Sequence, residues 1–338
     1  MDPTLPSFSG LSPGLALSAV EEAFGIEPEG SFFAYPSYVN RVYGFRASDP
    51  RFPDREAAEY VVKFYRPGRW TVAAVREEHA FLAELAAAEV PVVAPLADEG
   101  GETLAELVLE RPEGEISMQF ALFPKRGGRS FDTDGPDAFA RMGALIGRIH
   151  AVGRRSAARH RARPGQGSME AYAEELERSG AVHADAAPGF FAALSEAGSL
   201  VDAAFRSVGA RAIRLHGDFH RGNVLDRQDQ GLWAIDFDDM SAGPAVQDLW
   251  LLLPAHLEDS RAELEAAIAG YEAFMPFDRS ELALVEPLRL LRMVHFLAWQ
   301  ARQRHDEGFF THFPAWGTRG FWQQETEDLR SQMELIGP

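Results

Sequence analysis

Cysteine does not occur among the 338 residues of this sequence, which excludes disulfides, thiolate metal sites and cysteine nucleophiles. Its absence fits a reducing compartment. Long apolar runs are also lacking: the richest stretch, from Ala80 to Leu96, is interrupted by Glu84, Glu89 and Pro91 and cannot span a bilayer. Met1 to Gly10 contains no basic segment leading into an apolar core, so no signal peptide is expected and the cytoplasm is the default location. Positive charge is scarce, with 33 Lys plus Arg against 51 Asp plus Glu and a net charge of −18. Nucleic acid and anionic membranes, which are bound by clustered positive charge, are therefore not expected partners.

Lysine is especially scarce. Only Lys63 and Lys125 occur, so 31 of the 33 basic residues are arginine. A chain that uses arginine almost everywhere and keeps lysine at two places suggests a need for a compact ammonium where a planar guanidinium will not serve. Lys63, in the middle of the apolar run Val61-Val62-Lys63-Phe64-Tyr65, carries that argument, because such a lysine is costly unless its ammonium reaches an anion. Lys125 reads as a residue on the surface of a hinge.

What is present is an ordinary globular composition, 46% apolar and 25% charged, in a chain long enough for two modest lobes. Phe32 to Arg46 and Glu59 to Tyr65 read as strands around the turn Ser48-Asp49-Pro50 to Pro53-Asp54. Thr71 to Ala87 has helical spacing. Thr103 to Leu109 and Ile116 to Phe123 read as a strand pair with Pro112-Glu113-Gly114 as the turn. Beyond Pro136 the pattern becomes helical, over Asp137 to Val152, Glu170 to Arg178, Phe190 to Val208, Val246 to Leu253, Arg261 to Phe274, Arg279 to His305 and Arg319 to Ile336. Three short strands interrupt it, Ile213 to Leu215, Val224 to Leu225 and Leu232 to Ile235. Ala157 to Gly167 reads as a basic, exposed connector. Strands first and helices later imply an α+β fold of two lobes, residues 1–123 and 124–338, with a hinge near Phe123 to Gly128 and a cleft between them.

The segment richest in chemistry is Leu215-His216-Gly217-Asp218-Phe219-His220-Arg221-Gly222-Asn223-Val224-Leu225, followed by Trp233-Ala234-Ile235-Asp236-Phe237-Asp238-Asp239. A strand, a polar loop with Asp218 and Asn223 five residues apart, and a second strand ending at Asp236 direct three oxygen-bearing side chains into one pocket. Magnesium prefers hard oxygen ligands and takes few from protein, a role that suits Asn223 and Asp236. Asp218 is left to accept a proton from an attacking hydroxyl.

These residues resemble the catalytic loop H-x-D-x-x-x-x-N and metal-binding segment of the aminoglycoside phosphotransferase and choline kinase group, relatives of the eukaryotic protein kinases. Ser37 to Tyr43, Val61 to Trp70, Gly243 to Trp250 and Glu286 to Arg289 extend the resemblance, most closely to a stress-response branch that phosphorylates Ser/Thr of proteins. It implies a two-lobed protein-kinase-like fold, ATP and Mg2+ as cofactors, and a protein or small hydroxyl-bearing acceptor. It also implies site roles: Asp218 the catalytic base, Asn223 and Asp236 the metal ligands, Ser37 in the loop over the nucleotide, Lys63 on the α- and β-phosphates. Backbone groups near Phe123 and Lys125 would meet adenine, and Asp248 would brace the catalytic loop. A glutamate of the following helix should hold Lys63. Glu78 shares a face with Leu82 and Leu85 and is the choice, with Glu77 the alternative.

The loop from Tyr35 to Tyr43 lacks the G-x-G-x-x-G of protein kinases, so Ser37, Asn40 or backbone N–H groups must grip phosphate. The metal segment reads Asp-Phe-Asp instead of Asp-Phe-Gly. Other residues have plainer readings: His216 as a structural brace, His220 without an assigned role, Asp238 and Asp239 as partners of arginine. The Arg289, Arg292, His295, Trp299 and Arg302 face suits either an amphipathic helix or a substrate contact. A metallophosphoesterase, suggested by His216-x-Asp218-x-His220, would need further His and Asp clusters and would leave Lys63 idle. A nucleotide-binding pseudokinase is the other alternative.

Overall fold

The computed structural model describes residues 8, 10–48, 58–111, 114–132, 134–306 and 308–336. Most of the segment Met1 to Gly10, the turn residues Asp49 to Asp54, and Pro112 and Glu113 lie outside the described residues.

The first lobe opens with a helix that periodicity did not reveal, α1 (Pro13–Phe24), although its end signals stand in the sequence. Ser12 Oγ accepts the Leu15 N–H, Pro13 starts the first turn, and Gly25 ends the helix at φ 64°. The stretch from Phe32 to Arg46 divides into β1 (Glu27–Tyr35) and β2 (Arg41–Ser48), with Pro36 to Asn40 as a loop between them. With β3 (Ala58–Phe64), β4 (Ala105–Leu109) and β5 (Ile116–Pro124) they form an antiparallel sheet in the order β1-β2-β3-β5-β4. Between β3 and β4 runs α2 (Val72–Ala87), capped by Thr71. Register sets Lys63 between Val42 and Ala121 in the centre of this sheet. One face of the sheet is closed by α1, where Phe24 meets Phe120 edge to face.

The second lobe starts with the short β6 (Arg129–Ser130) and is largely helical. Helix α3 (Pro136–Gly153) packs on α7 (Arg261–Glu272) almost backbone to backbone. A Cβ at Gly143 would stand 1.8 Å from the Ala267 carbonyl oxygen, and one at Gly147 2.6 Å from that of Tyr271. Beside this pair lie β7 (Ile213–Leu215), β8 (Val224–Asp226), β9 (Leu232–Ala234), β10 (Ser241–Gly243) and α6 (Val246–Trp250). Strand β10 pairs with β7, and β6-β8-β9 form a second small sheet.

A separate core joins α4 (Ser168–Ser179), α5 (Ala187–Val208), α8 (Val285–Gln303), α9 (Phe309–His312) and α10 (Arg319–Glu334). The helix expected from Arg279 is a 3-10 turn up to Leu284, and α8 begins only at Val285. Phe81, Leu82 and Leu85 of α2 belong to the core built around α3 and α7, so this helix is packed against the second lobe. No described helix is long and apolar enough to cross a membrane.

Candidate active site

Between the sheet of the first lobe and the second lobe's strand β8 and the segment after β9 lies a cavity of about 410 Å³. Ser37, Asn40, Lys63, Glu78, Phe123, Lys125 and Asp236 all line it. Asp218 and Asn223 are not among its walls. They stand on the adjoining loop, which is tied to the cavity floor where Ile235 N–H donates to the Asn223 carbonyl at 3.0 Å.

The loop after β7 is held by a fully buried carboxylate. Asp248 accepts the backbone N–H of His216 at 2.8 Å and of Gly217 at 2.9 Å, and its Oδ2 lies 2.9 Å from His150 Nε2. His216, also fully buried, accepts the Asp218 N–H on Nδ1 and reaches the Ile235 carbonyl with Nε2. Those two bonds fix a neutral ring protonated on Nε2 and couple the loop to the segment carrying Asp236. Gly217 has no substitute here, because at φ 86° a Cβ would stand 1.9 Å from the Asp239 carbonyl oxygen. Asp218 thereby emerges at a fixed place, 2.7 Å from Arg292 Nη2 and 3.3 Å from His220 Nε2. Burial alone would raise its pKa. The hydrogen bond from His220 and the charge of Arg292 outweigh that and hold the carboxyl well below its ordinary range.

Lys63 is buried, with its ammonium 2.8 Å from Asp236 Oδ1 and 3.5 Å from Asp238 Oδ1. Burial opposes the charge, but Asp236, Asp238 and Glu78 overcome it and keep the lysine protonated far above neutrality. Asp236 sits at φ 62°, ψ 69°, a left-handed conformation that costs energy for any residue with a Cβ. That backbone aims its carboxylate at Lys63.

Of the two glutamates considered for Lys63, Glu78 faces the cavity, only 1% exposed, whereas Glu77 accepts the backbone N–H groups of Arg159 and His160. The expected direct pair is nevertheless corrected. Glu78 is taken by the guanidinium of Arg161, and among the described residues Lys63 pairs with the two aspartates instead. Arg161 also donates to the Ala74 carbonyl at 2.8 Å and the Asp238 carbonyl at 2.6 Å, and stacks over Trp70 at 4.4 Å. The segment from Ala157 to Gly167 is thus not simply an exposed basic connector. It delivers one buried arginine that clips α2 to the acidic segment 236–239.

Asn40 bonds Asp238 at 3.1 Å through its amide N–H and accepts the Arg66 N–H at 3.1 Å, while Ser37 Oγ accepts the Asn40 N–H at 3.3 Å. The loop between β1 and β2 is thereby fixed on the same acidic segment. Arg69 pairs with Asp238 and Asp239, as the plainer reading of those two residues expected. At the opposite end, the Lys125 N–H is donated to the Glu59 carbonyl at 2.9 Å, so it is not available to a base. The ammonium of Lys125 lies 2.8 Å from Glu59 and 5.0 Å above the Phe33 ring.

For a divalent cation the donor set fits. Asn223 Nδ2 donates to the Asp218 carbonyl at 3.0 Å, which turns its amide oxygen the other way, and Asp236 is 53% exposed with only Oδ1 engaged by Lys63. Two hard oxygens leave the remaining positions to phosphate and water, the arrangement magnesium favours. Arg69 and Arg161 were not assigned from sequence as site residues, and Arg292 was named only within the α8 face that suits a substrate contact. The signal available was a run of three acidic residues within 236–239, which needs buried cations to balance it.

A sheet-and-helix lobe and an acidic segment around one cavity, with the Asp218 loop adjoining it, make up the protein-kinase-like fold of a phosphotransferase. Residues 37–285 match the model of the Phosphotransferase enzyme family (APH), and the chain belongs to that family; it is a kinase. It is 37% identical to stress response kinase A of Salmonella paratyphi A over 333 residues, 98% of this chain and 95% of that protein. Identity and coverage are the same with the serine/threonine protein kinase RdoA of Salmonella typhimurium. Among solved structures, amicoumacin kinase hAmiN in complex with AMP-PNP, Ca2+ and Ami superposes with a TM-score of 0.68 at 15% identity, covering 94% of both chains.

Proposed function

We propose that this kinase transfers the γ-phosphate of ATP to Ser/Thr hydroxyls of a protein acceptor, in a stress-response role, with Mg2+ as its divalent ion. One observation carries the reading: Lys63 and Glu78 from the first lobe and Asp236 from the second line a single cavity beside the loop of Asp218 and Asn223. The lobe boundary then falls after Phe123. Adenine would lie between Phe123 and Leu225, with its backbone donor beyond Lys125, in the Arg126 to Gly128 stretch that lines the same wall. Lys63 would hold the α- and β-phosphates, and Ser37 and Asn40 would cover them. Asn223 and Asp236 would hold the cation, which neutralises phosphate charge when bound.

Asp218 is ionised across the working pH range and placed to orient the acceptor and take its proton. The acceptor oxygen forms a bond to the γ-phosphorus, the β–γ bridging bond breaks, ADP leaves, and the hydroxyl proton passes to Asp218. A protein acceptor is favoured by full-length similarity to a kinase named for serine and threonine. A small hydroxyl-bearing molecule is the second reading, prompted by the shared fold with a kinase solved together with Ami.

Radiolabelled ATP offered with panels of proteins and of small hydroxyl compounds separates the two. Labelled Ser or Thr in a protein, lost in Asp218→Ala while that variant still binds nucleotide, is the expected result. Label appearing only in small molecules would refute the protein reading.

A further inference from the structure

On α8, Arg292, Phe296, Trp299 and Arg302 fall within a stripe about 120° wide, taken at 100° per residue. The stripe begins at the catalytic loop, where Arg292 Nη2 meets Asp218 Oδ1 at 2.7 Å. In that pair the arginine is the outward member, 42% exposed against 22% for the aspartate. Ten residues on, Arg302 is 47% exposed and covers Glu175, itself 22% exposed, at 3.2 Å. The two guanidinium groups, on positions about 15 Å apart along the helix, are therefore the outward members of two ion pairs beside the Asp218 loop, in a chain of net charge −18. Between them Phe296, 47% exposed, stacks on Trp299 with ring centroids 5.4 Å apart and planes 9° from parallel. None of these four residues lines the nucleotide cavity.

Resting on the protein-acceptor reading, we propose that this face of α8 receives the acceptor segment and selects an acidic one. A carboxylate next to the acceptor Ser or Thr draws Arg292 away from Asp218, and this exchange of partners frees the Asp218 oxygen for the hydroxyl proton. Phe296 lies about 6 Å further along the helix, the span of two residues in an extended peptide. An apolar side chain two positions from the acceptor meets its ring, and Arg302 takes a second carboxylate beyond. A polycationic small molecule would meet two like charges on the same face.

The test uses the full chain, labelled ATP and three sets of Ser peptides that differ only in flanking residues: acidic, alanine and basic. Wild type should favour the acidic set over the alanine set by up to about fivefold in kcat/KM, the effect of one partly exposed charge pair. Arg292→Ala should bring that ratio close to one, and Arg292→Lys should restore part of it. The ratio is the readout because loss of the contact with Asp218 can lower turnover on every peptide alike. Equal use of acidic and alanine peptides by wild type overturns this proposal and leaves the protein-acceptor reading standing, as does an unchanged ratio in Arg292→Ala. Label in none of the peptides but in small hydroxyl compounds overturns both.

Discussion

The two lysines of the chain stand at opposite ends of one cavity, each 2.8 Å from the carboxylate of a residue whose side chain is about half exposed, Asp236 at 53% and Glu59 at 52%. Distance does not tell them apart; surroundings do. Around Lys63 the next groups are Asp238 and the Glu78–Arg161 pair, nearly all buried, and every charge is answered by another. Around Lys125 they are an aromatic ring and solvent, with its side chain 24% exposed. An ion pair in water contributes up to ~1 kcal/mol, whereas a buried network cannot lose one member without stranding the rest. The Lys63 end, proposed above to hold phosphate, is built from interlocked charges, and the Lys125 end, proposed to hold adenine, from apolar walls and backbone.

Lys63→Met should test this contrast most severely. Turnover should fall by about 10²- to 10³-fold, the loss seen when one preorganised donor to a developing charge is removed. Asp236 and Asp238 would then lack the ammonium they share. Lys63→Arg should rescue little, because the site holds a point charge among three carboxylates and has no place for a planar fork. Activity near wild type in the arginine variant would show that the burial of Lys63 matters less than its charge.

Arg161→Ala should act on stability before it acts on chemistry. Glu78 would be left buried without its guanidinium, at a cost of about 3–5 kcal/mol in chemical denaturation. Burial already pushes the Glu78 carboxyl up against the opposing charges of Lys63 and Arg161. Removing one of them should push it further and leave it neutral. Arg161→Ala/Glu78→Gln should recover part of the loss, since it removes the stranded charge as well. A double variant no more stable than the single would mean that the bonds from Arg161 to Ala74 and Asp238 carry the effect.

At Asp218 the sign follows from the depressed pKa. A carboxyl held lower in the folded state contributes stability that is complete above its ordinary range and fades as pH falls through it. His220→Ala removes the largest of the opposing influences, so the Asp218 pKa should rise. The acid limb of kcat/KM should then move upward by about one unit or less, measured against wild type under the same conditions. An unmoved limb would place the observed ionisation elsewhere.

The charged end of the cavity and its adjoining loop were legible in the sequence wherever spacing placed the residues. Asp218, Asn223 and Asp236 follow short apolar strands at fixed offsets, and a lysine inside Val61 to Tyr65 has no reason to be there without an anion. Helical phase put Glu78, which shares the face of Leu82 and Leu85, on the buried side, but the direct pair with Lys63 expected of it is replaced by one with Arg161. What a one-dimensional pattern could not show was which cation Glu78 meets. Arg161 lies 83 residues away in a stretch whose proline, glycines and arginines look like surface, and only tertiary packing turns it inward. Likewise α1 escaped a search for periodicity, while Ser12, Pro13 and Gly25 marked both its ends.

The smallest effect should come from Lys125→Ala. Its ion pair with Glu59 contributes up to ~1 kcal/mol, and its backbone N–H, which the substitution leaves intact, is the part bound into the sheet through the Glu59 carbonyl. Nucleotide affinity should change by less than about fivefold, since up to ~1 kcal/mol corresponds to no more than that factor. Compared in the same turnover assay, Lys63→Met should lose at least about twentyfold more than Lys125→Ala, although the two lysines have identical salt-bridge distances. Should Lys125→Ala instead weaken nucleotide binding as much as Lys63→Met weakens turnover, the ammonium itself would have to reach the bound nucleotide, and the adenine end would be charged after all. Isothermal titration of ADP into the two variants decides it.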